Sequence, residues 1–335
     1  MKKRLVVLSL FTVLGIILFA GVVLQTGFDE IWRHLRQFSL LHFGIFIFLS
    51  FLNFGLYTLR WHLILRTISG AGISFWRLFL HRMSGFALSY LTPSAQTGGE
   101  PLRILLLSND GVPSNTATSS AVIDKALEFA ALFLFIGIGI LVAILDGSLP
   151  PEMRTVGWVL LVIMFAAIFW FYFASMKNIG FFSSILRFFR FNRFRKVQSL
   201  HDRIIELENE MASFYKHHLR TFFGLVLISL VTTSFLLLEH YLVARFMGVR
   251  LTFLQTFLVS TIPYIAYIVP VPGGLGLLEG GTAAVFVALG VAINAFVLVF
   301  IIRIRDLIFV FLGLIHASKQ GFQMLKTAFQ DKNKS

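Results

Sequence analysis

Two stretches decide how this chain folds: Thr92-Pro93-Ser94-Ala95-Gln96-Thr97-Gly98-Gly99-Glu100-Pro101-Leu102-Arg103 and Pro270-Val271-Pro272-Gly273-Gly274-Leu275-Gly276-Leu277-Leu278-Glu279-Gly280-Gly281. Each holds a proline, a Gly-Gly pair and a glutamate seven residues beyond a proline, Pro93 to Glu100 and Pro272 to Glu279. Each also interrupts a long apolar run, about 79–108 and about 253–291. Proline and glycine unwind helices. An unwound backbone inside a bilayer has to be buried in protein or line a wet cavity, because lipid offers its amides and carbonyls no partner.

That the solvent is lipid follows from composition. Of 335 residues, 57% are apolar and only 13% charged, with 39 Phe and a mean hydropathy of +0.83. Water-soluble domains carry about twice that share of charge. A soluble enzyme and a nucleic-acid module are therefore excluded despite a net charge of +13. Without cysteine there is no disulfide framework, thiolate metal site or thiol catalysis.

A membrane helix needs about 20 apolar residues. Runs of that kind lie at 5–24, 40–59, 116–145, 155–175, 219–244 and 293–318. The first follows Lys2-Lys3-Arg4 and is too long for a cleaved leader, so it reads as a retained span. Placing the N-terminus inside puts 20 Lys and Arg in inner segments and five in outer ones. The positive-inside rule then predicts both termini on the cytoplasmic side. With that orientation the two broken stretches become re-entrant hairpins dipping from opposite faces, as in inverted repeats. The expected fold is an all-α polytopic bundle of about six full spans plus two re-entrant broken hairpins. It forms a single membrane domain over 1–335, with half-repeats at about 40–145 and 219–318. Eight plain, kinked spans are the alternative.

Residues 177–218 form the one long polar connection. In it, Phe188, Phe189, Phe191 and Phe194 interleave with Arg187, Arg190, Arg193, Arg195 and Lys196. Downstream, Leu200, Ile204, Leu207, Met211 and Phe214 recur at helical spacing. This predicts a basic, cytoplasmic, interfacial segment with one helical apolar stripe.

The candidate site residues are the broken stretches and the charges inside apolar runs. They comprise Gly98, Gly99, Glu100 and Arg103; Asp124, Lys125 and Glu128; Pro272, Gly273, Gly274 and Glu279; and Arg303, Arg305 and Asp306. Asp124-Lys125 and Arg303 each begin 24 residues after a hairpin glutamate, which suggests internal duplication. A charge at a span centre costs about 2.5–3.5 kcal/mol on insertion scales, so these groups must pair or face water. Lys125 with Glu128 and Arg303 with Asp306 are pairs that would serve as neutral glue. Glu239-His240 reads as structural or cavity-lining. No zinc-binding histidine spacing, Walker sequence or nucleophile elbow is present, so neither a catalytic set, a metal nor a cofactor is expected. Ser94, Gln96 and Thr97 are the only polar candidates for chemistry at the first break.

At these motifs the chain resembles the flippase-like membrane family of the lysylphosphatidylglycerol synthase transmembrane region. The resemblance rests on Arg60-Trp61, Pro93…Gly98-Gly99-Glu100-Pro101-Leu102-Arg103, the charged span 116–145, Pro272-Gly273-Gly274-Leu275-Gly276 with Glu279, and Arg303. It implies an integral bundle with two re-entrant hairpins around a central cavity. The implied cargo is a phospholipid or a polyprenyl-linked lipid moved between leaflets, with a lipid-synthesis enzyme as the partner such a chain works beside. Only 17 residues follow the last predicted span, so the soluble portion that charges the lipid in two-part synthases, and lysyl transfer with it, is not expected here. A small-solute secondary transporter and an intramembrane enzyme of lipid or glycolipid synthesis are the other classes the same residues would serve.

Overall fold

The computed structural model describes residues 38–70, 72–94, 96–147, 151–188, 195–269, 271–291 and 295–332. The expected span over 5–24 and the basic, Phe-rich residues 189–194 lie outside them. The described residues are helical in every regular element: α1 Leu40–Ser69, α2 Phe75–Leu91, α3 Glu100–Asn109, α4 Ser114–Leu145, α5 Pro151–Met176, α6 Phe181–Phe188, α7 Arg195–His217, α8 Leu219–Phe246, α9 Phe253–Thr261, α10 Leu277–Ala288 and α11 Ala295–Lys332. Two 3-10 helices, Ile262–Ile268 and Pro272–Gly274, stand between α9 and α10.

Four of these helices, α1, α4, α5 and α8, are long and apolar enough to cross a membrane. They coincide with four of the predicted runs. Helix α5 shows why the surrounding solvent is lipid, because Val156, Trp158, Val162, Ile163 and Phe169 are all exposed along it. Helix α11 matches the last predicted run but carries Arg303, Arg305 and Asp306 inside its apolar portion.

Both predicted interruptions are real breaks. Helix α2 stops at Leu91, two residues before Pro93, and α3 begins at Glu100. Hydroxyls take over the freed backbone groups between them. Thr92 Oγ1 donates to the Leu88 carbonyl at 2.7 Å, the Gly98 amide donates to Ser94 Oγ at 2.8 Å, and the Gly99 amide donates to Ser89 Oγ at 2.8 Å. Thr97 Oγ1 donates to the Ser94 carbonyl. Ser94 and Thr97 are thus occupied in shaping the loop. Gly99 lies so close to Gly85 of α2 that a side chain there would run into the Gly85 carbonyl.

The second break is longer. A capping box of Thr252 and Gln255 starts α9, Pro263 sits at the start of the first 3-10 helix, and three glycines, Gly273, Gly274 and Gly276, take positive φ. At Gly273 (φ 55°) the constraint is double, because a Cβ would also stand 2.9 Å from the Tyr90 ring.

The chain forms two compact units, each drawing on both predicted half-repeats. The first holds, among described residues, 38–54, 76–106 and 235–332. Its core packs Phe46, Val243, Val259, Leu278, Phe286 and Val297 through Ile302. Within it α2 meets α11 through polar contacts: Ser84 Oγ donates to the Gly313 carbonyl at 3.0 Å, and His81 and His316 share a 3.1 Å hydrogen bond. The second unit holds 55–75 and 107–234 and packs Ile64, Ile123, Leu127, Met211, Phe214 and Tyr215. Met211 and Phe214 are the end of the predicted stripe on α7, and both are buried there. Burial also raises the Tyr215 phenol well above its ordinary range. Glu208 of α7 closes the start of α6 by accepting from the Ser183 amide and hydroxyl.

Gly99→Ala should destabilise by about 1–3 kcal/mol through overpacking against Gly85. Gly44→Ala, in the open interior of α1, should be neutral or gain up to about 1 kcal/mol. Thermal unfolding of both variants in detergent checks this, and equal melting temperatures would contradict it.

Candidate functional site

The predicted site residues fall into two groups, one in each unit. In the second unit the anchor is Arg60, which is fully buried in α1. Its Nε donates to Asp124 Oδ1 at 2.8 Å, its Nη1 to Ser229 Oγ at 3.0 Å, and its Nη2 to the Asp124 carbonyl at 3.1 Å. Glu128 lies 3.5 Å from Nη2 and accepts from Lys125 Nζ at 2.8 Å. The neighbouring Trp61 Nε1 donates to Ser120 Oγ at 3.2 Å. Lys125 and Glu128 therefore form the expected pair. Asp124, however, belongs to Arg60, which lies just beyond the predicted run 40–59. Helix α1 continues ten residues past the predicted run, so Arg60 sits inside a helix. The apolar residues after it, Leu63, Ile64 and Leu65, were the signal.

In the first unit the two hairpin glutamates stand alike. Glu100 is the first residue of α3, and Glu279 lies in the first turn of α10, where its Oε2 accepts from the Gly276 amide at 2.7 Å. A carboxylate in the first turn complements the helix dipole and the free amides there. Their cations differ. Glu100 pairs locally with Arg103 at 2.8 Å, whereas Glu279 Oε1 accepts from Arg303 Nε at 2.9 Å across 24 residues. Arg303 thus pairs with Glu279 rather than with Asp306.

Arg303 is 4% exposed and lies against the second break. Its Nη1 donates to Tyr90 Oη at 3.0 Å and to the Gly273 carbonyl. Its Nη2 is buried with no hydrogen-bond partner. Three of the predicted residues, Gly273, Glu279 and Arg303, are thereby joined directly, with Pro272 and Gly274 flanking the carbonyl that Arg303 holds. Gly98 and Gly99 shape the first break beside Glu100.

Arg305 and Asp306 belong to a second network in the same unit. Arg305 donates through Nε and Nη2 to Asp306 Oδ1 at 3.0 and 2.8 Å, and through Nη1 to Glu239. Ser50 Oγ donates to Glu239 Oε1 at 2.9 Å. Sequence reasoning read Glu239 as structural or cavity-lining without finding its partners, and missed Tyr90, Ser50 and Ser229. These lie on helices remote in sequence, and no spacing rule marks them. Among the described residues no group of three or more His, Asp or Glu is arranged to hold a metal.

Arg60→Ala should cost about 3–5 kcal/mol, because Asp124 would be left charged and unpaired in the interior. The double replacement Arg60→Met with Asp124→Leu should cost clearly less. Thermal melts of both proteins in detergent measure the difference, and a double variant at least as unstable as the single one would contradict the pairing.

Comparison with known proteins shows the family. The profile of the lysylphosphatidylglycerol synthase TM region matches residues 6–313. Two proteins of Methanothermobacter thermautotrophicus, each described as a UPF0104 membrane protein, are similar to the chain. One is 26% identical over 81% of this chain and 82% of its own length, the other 28% identical over 96% and 95%. A UPF0104 membrane protein of Pyrococcus horikoshii is 23% identical over 87% of this chain and 88% of its own. No solved structure matches. The breaks, Arg60-Trp61 and Arg303 all lie within the matched span, and the chain belongs to the family of the lysylphosphatidylglycerol synthase transmembrane region.

Proposed function

We propose that this protein carries a lipid with a phosphate-bearing head group between the leaflets of the prokaryotic cytoplasmic membrane, with the second break as its binding point. The observation that carries the reading is Arg303 Nη2. A buried N–H group without an acceptor costs about 1–3 kcal/mol, and guanidinium suits phosphate because it offers a planar fork of donors. One arm of that fork is held by Glu279, Tyr90 and Gly273. The other arm is free for an anionic oxygen. The unwound backbone around Gly273 and Gly274 adds polar groups at the same place.

In this reading the two breaks are re-entrant hairpins of an inverted repeat, entering from opposite faces with both termini cytoplasmic. Rocking of one against the other exposes the site to each leaflet in turn. The apolar exterior lets acyl chains stay in lipid while the head group passes inside. Membership in the family supports a lipid over a water-soluble cargo.

The test is native mass spectrometry of lipids retained by the purified protein, paired with leaflet exchange in vesicles. Wild type should retain one lipid class that Arg303→Ala and Glu100→Gln lose. Exchange should fall about tenfold or more in Arg303→Ala, the loss of a charged hydrogen bond. Arg303→Lys should recover binding only in part, since an ammonium lacks the fork. Retention of bulk lipid alone, equal in all variants, would overturn the reading.

A further inference from the structure

The Glu239–Arg305–Asp306 network has a charge imbalance that the neighbouring pair lacks. Arg303 and Glu279 cancel each other. Arg305 faces two carboxylates, Glu239 at 2% exposure and Asp306 at 4%, and so leaves one negative charge inside the unit. Among the described residues, the charged and titratable groups within reach are few. They are Arg305 on α11, His240 on α8, Tyr264 and Tyr267 on the 3-10 helix and Tyr90 on α2, with the balanced Arg303–Glu279 pair beside them. Helix α1 contributes Ser50 as a donor and the Phe46 ring, 5.6 Å from the Arg305 guanidinium. Among the described residues Arg305 is the one cation paired with the two carboxylates. A single uncompensated ion is strongly disfavoured in a medium of low dielectric, and in membrane proteins such residues mark ion and proton pathways.

The geometry points to a proton as the missing charge. We infer that the Glu239–Arg305–Asp306 network binds one proton, and that this proton is the coupling ion for head-group passage at Arg303. A hard metal cation is held by about six oxygens. Here both Glu239 oxygens and Asp306 Oδ1 already accept from Ser50 and Arg305, and only Asp306 Oδ2 is left over. One oxygen is enough for a proton.

The coupling follows from charge, and it rests on the lipid reading above. Asp306 lies one turn after Arg303 on the same face of α11. Tyr90, which accepts from Arg303, lies within electrostatic reach of Asp306. A phosphate arriving at Arg303 adds a second negative charge to a region that already holds one in excess. Proton uptake by the network then becomes more favourable, and by linkage a bound proton strengthens phosphate binding to the same degree. Phosphate and proton therefore travel together.

Two measurements separate the proton site from the lipid reading. The first is infrared difference spectroscopy of the detergent-purified protein between acid and neutral pH, without cargo, which reads the carbonyl stretch of a protonated carboxyl. Wild type should show such a band, and Asp306→Asn and Glu239→Gln should lack it while eluting as folded monodisperse protein. The second is the leaflet distribution of fluorescently tagged phosphatidylglycerol in phosphatidylcholine vesicles under an imposed pH gradient. Wild type should shift that distribution by up to about tenfold per pH unit for one coupled proton, and Asp306→Asn should not respond to the gradient. Absence of the wild-type band overturns the proton site whatever the transport result. A band present with a distribution indifferent to pH overturns the coupling, and a distribution that follows a sodium gradient at fixed pH overturns the proton in favour of sodium. No exchange at all, with the band intact, removes the lipid reading and leaves the proton site standing.

Discussion

The hydrogen bonds of Arg303 to Glu279 and to the Gly273 carbonyl tie together features that would each be untenable alone in lipid. A helix stops, a carbonyl is left without its helical partner, a carboxylate enters the interior, and a guanidinium sits in the middle of an apolar helix. Each of these costs free energy without a partner. Placed together, the cation satisfies the carbonyl and the carboxylate, the carboxylate satisfies the free Gly276 amide, and the break can persist. The packing around it obeys the same demand: Gly273 has to lack a side chain because Tyr90 occupies that space while accepting from the same arginine.

The Arg60 cluster meets the same constraint differently. Arg60 joins helices α1, α4 and α8 through Asp124 and Ser229, and its pairs hold the second unit at intact helices. The first unit also puts ion pairs at chain breaks, Glu100 with Arg103 and Glu279 with Arg303. Intact helices need charged glue only for packing, and their backbones are already satisfied. Breaks expose backbone groups and leave donors such as Nη2 unused. That contrast is why the first unit carries the proposed binding chemistry and the second is read as support.

Much of this was legible in the sequence. The positions of α4, α5 and α8 followed from hydropathy within a few residues, because lipid exposure demands apolar residues all round. Both breaks followed from Pro and Gly-Gly, and the helical course of α7 from the spacing that includes the buried Met211 and Phe214. The pairing of charges was not legible. Spacing of 24 residues suggested parallel roles for Asp124 and Arg303, yet Asp124 found Arg60 and Arg303 found Glu279. Periodicity reports the face of a helix, whereas ion pairs depend on which helices become neighbours. Tyr90, Ser50 and the partners of Glu239 escaped notice for that reason. Arg60 was noticed as part of the Arg60-Trp61 motif but not as a partner of Asp124, because it lies past the end of the apolar run.

The unequal reach of the two hairpin ion pairs bears on biosynthesis. Glu100 and Arg103 are three residues apart and leave the ribosome almost together, so the first break can be neutralised as soon as it forms. Glu279 has to wait for 24 further residues before Arg303 exists. Chains emerge N-terminal end first at about 5–20 residues per second, so for some seconds the second break carries a carboxylate without its cation. During that interval it cannot settle at depth in lipid and has to stay near water or the insertion machinery. Helix α11 therefore acts as the closing piece of assembly, and a chain truncated before Arg303 would leave Glu279 at the second break without its cation.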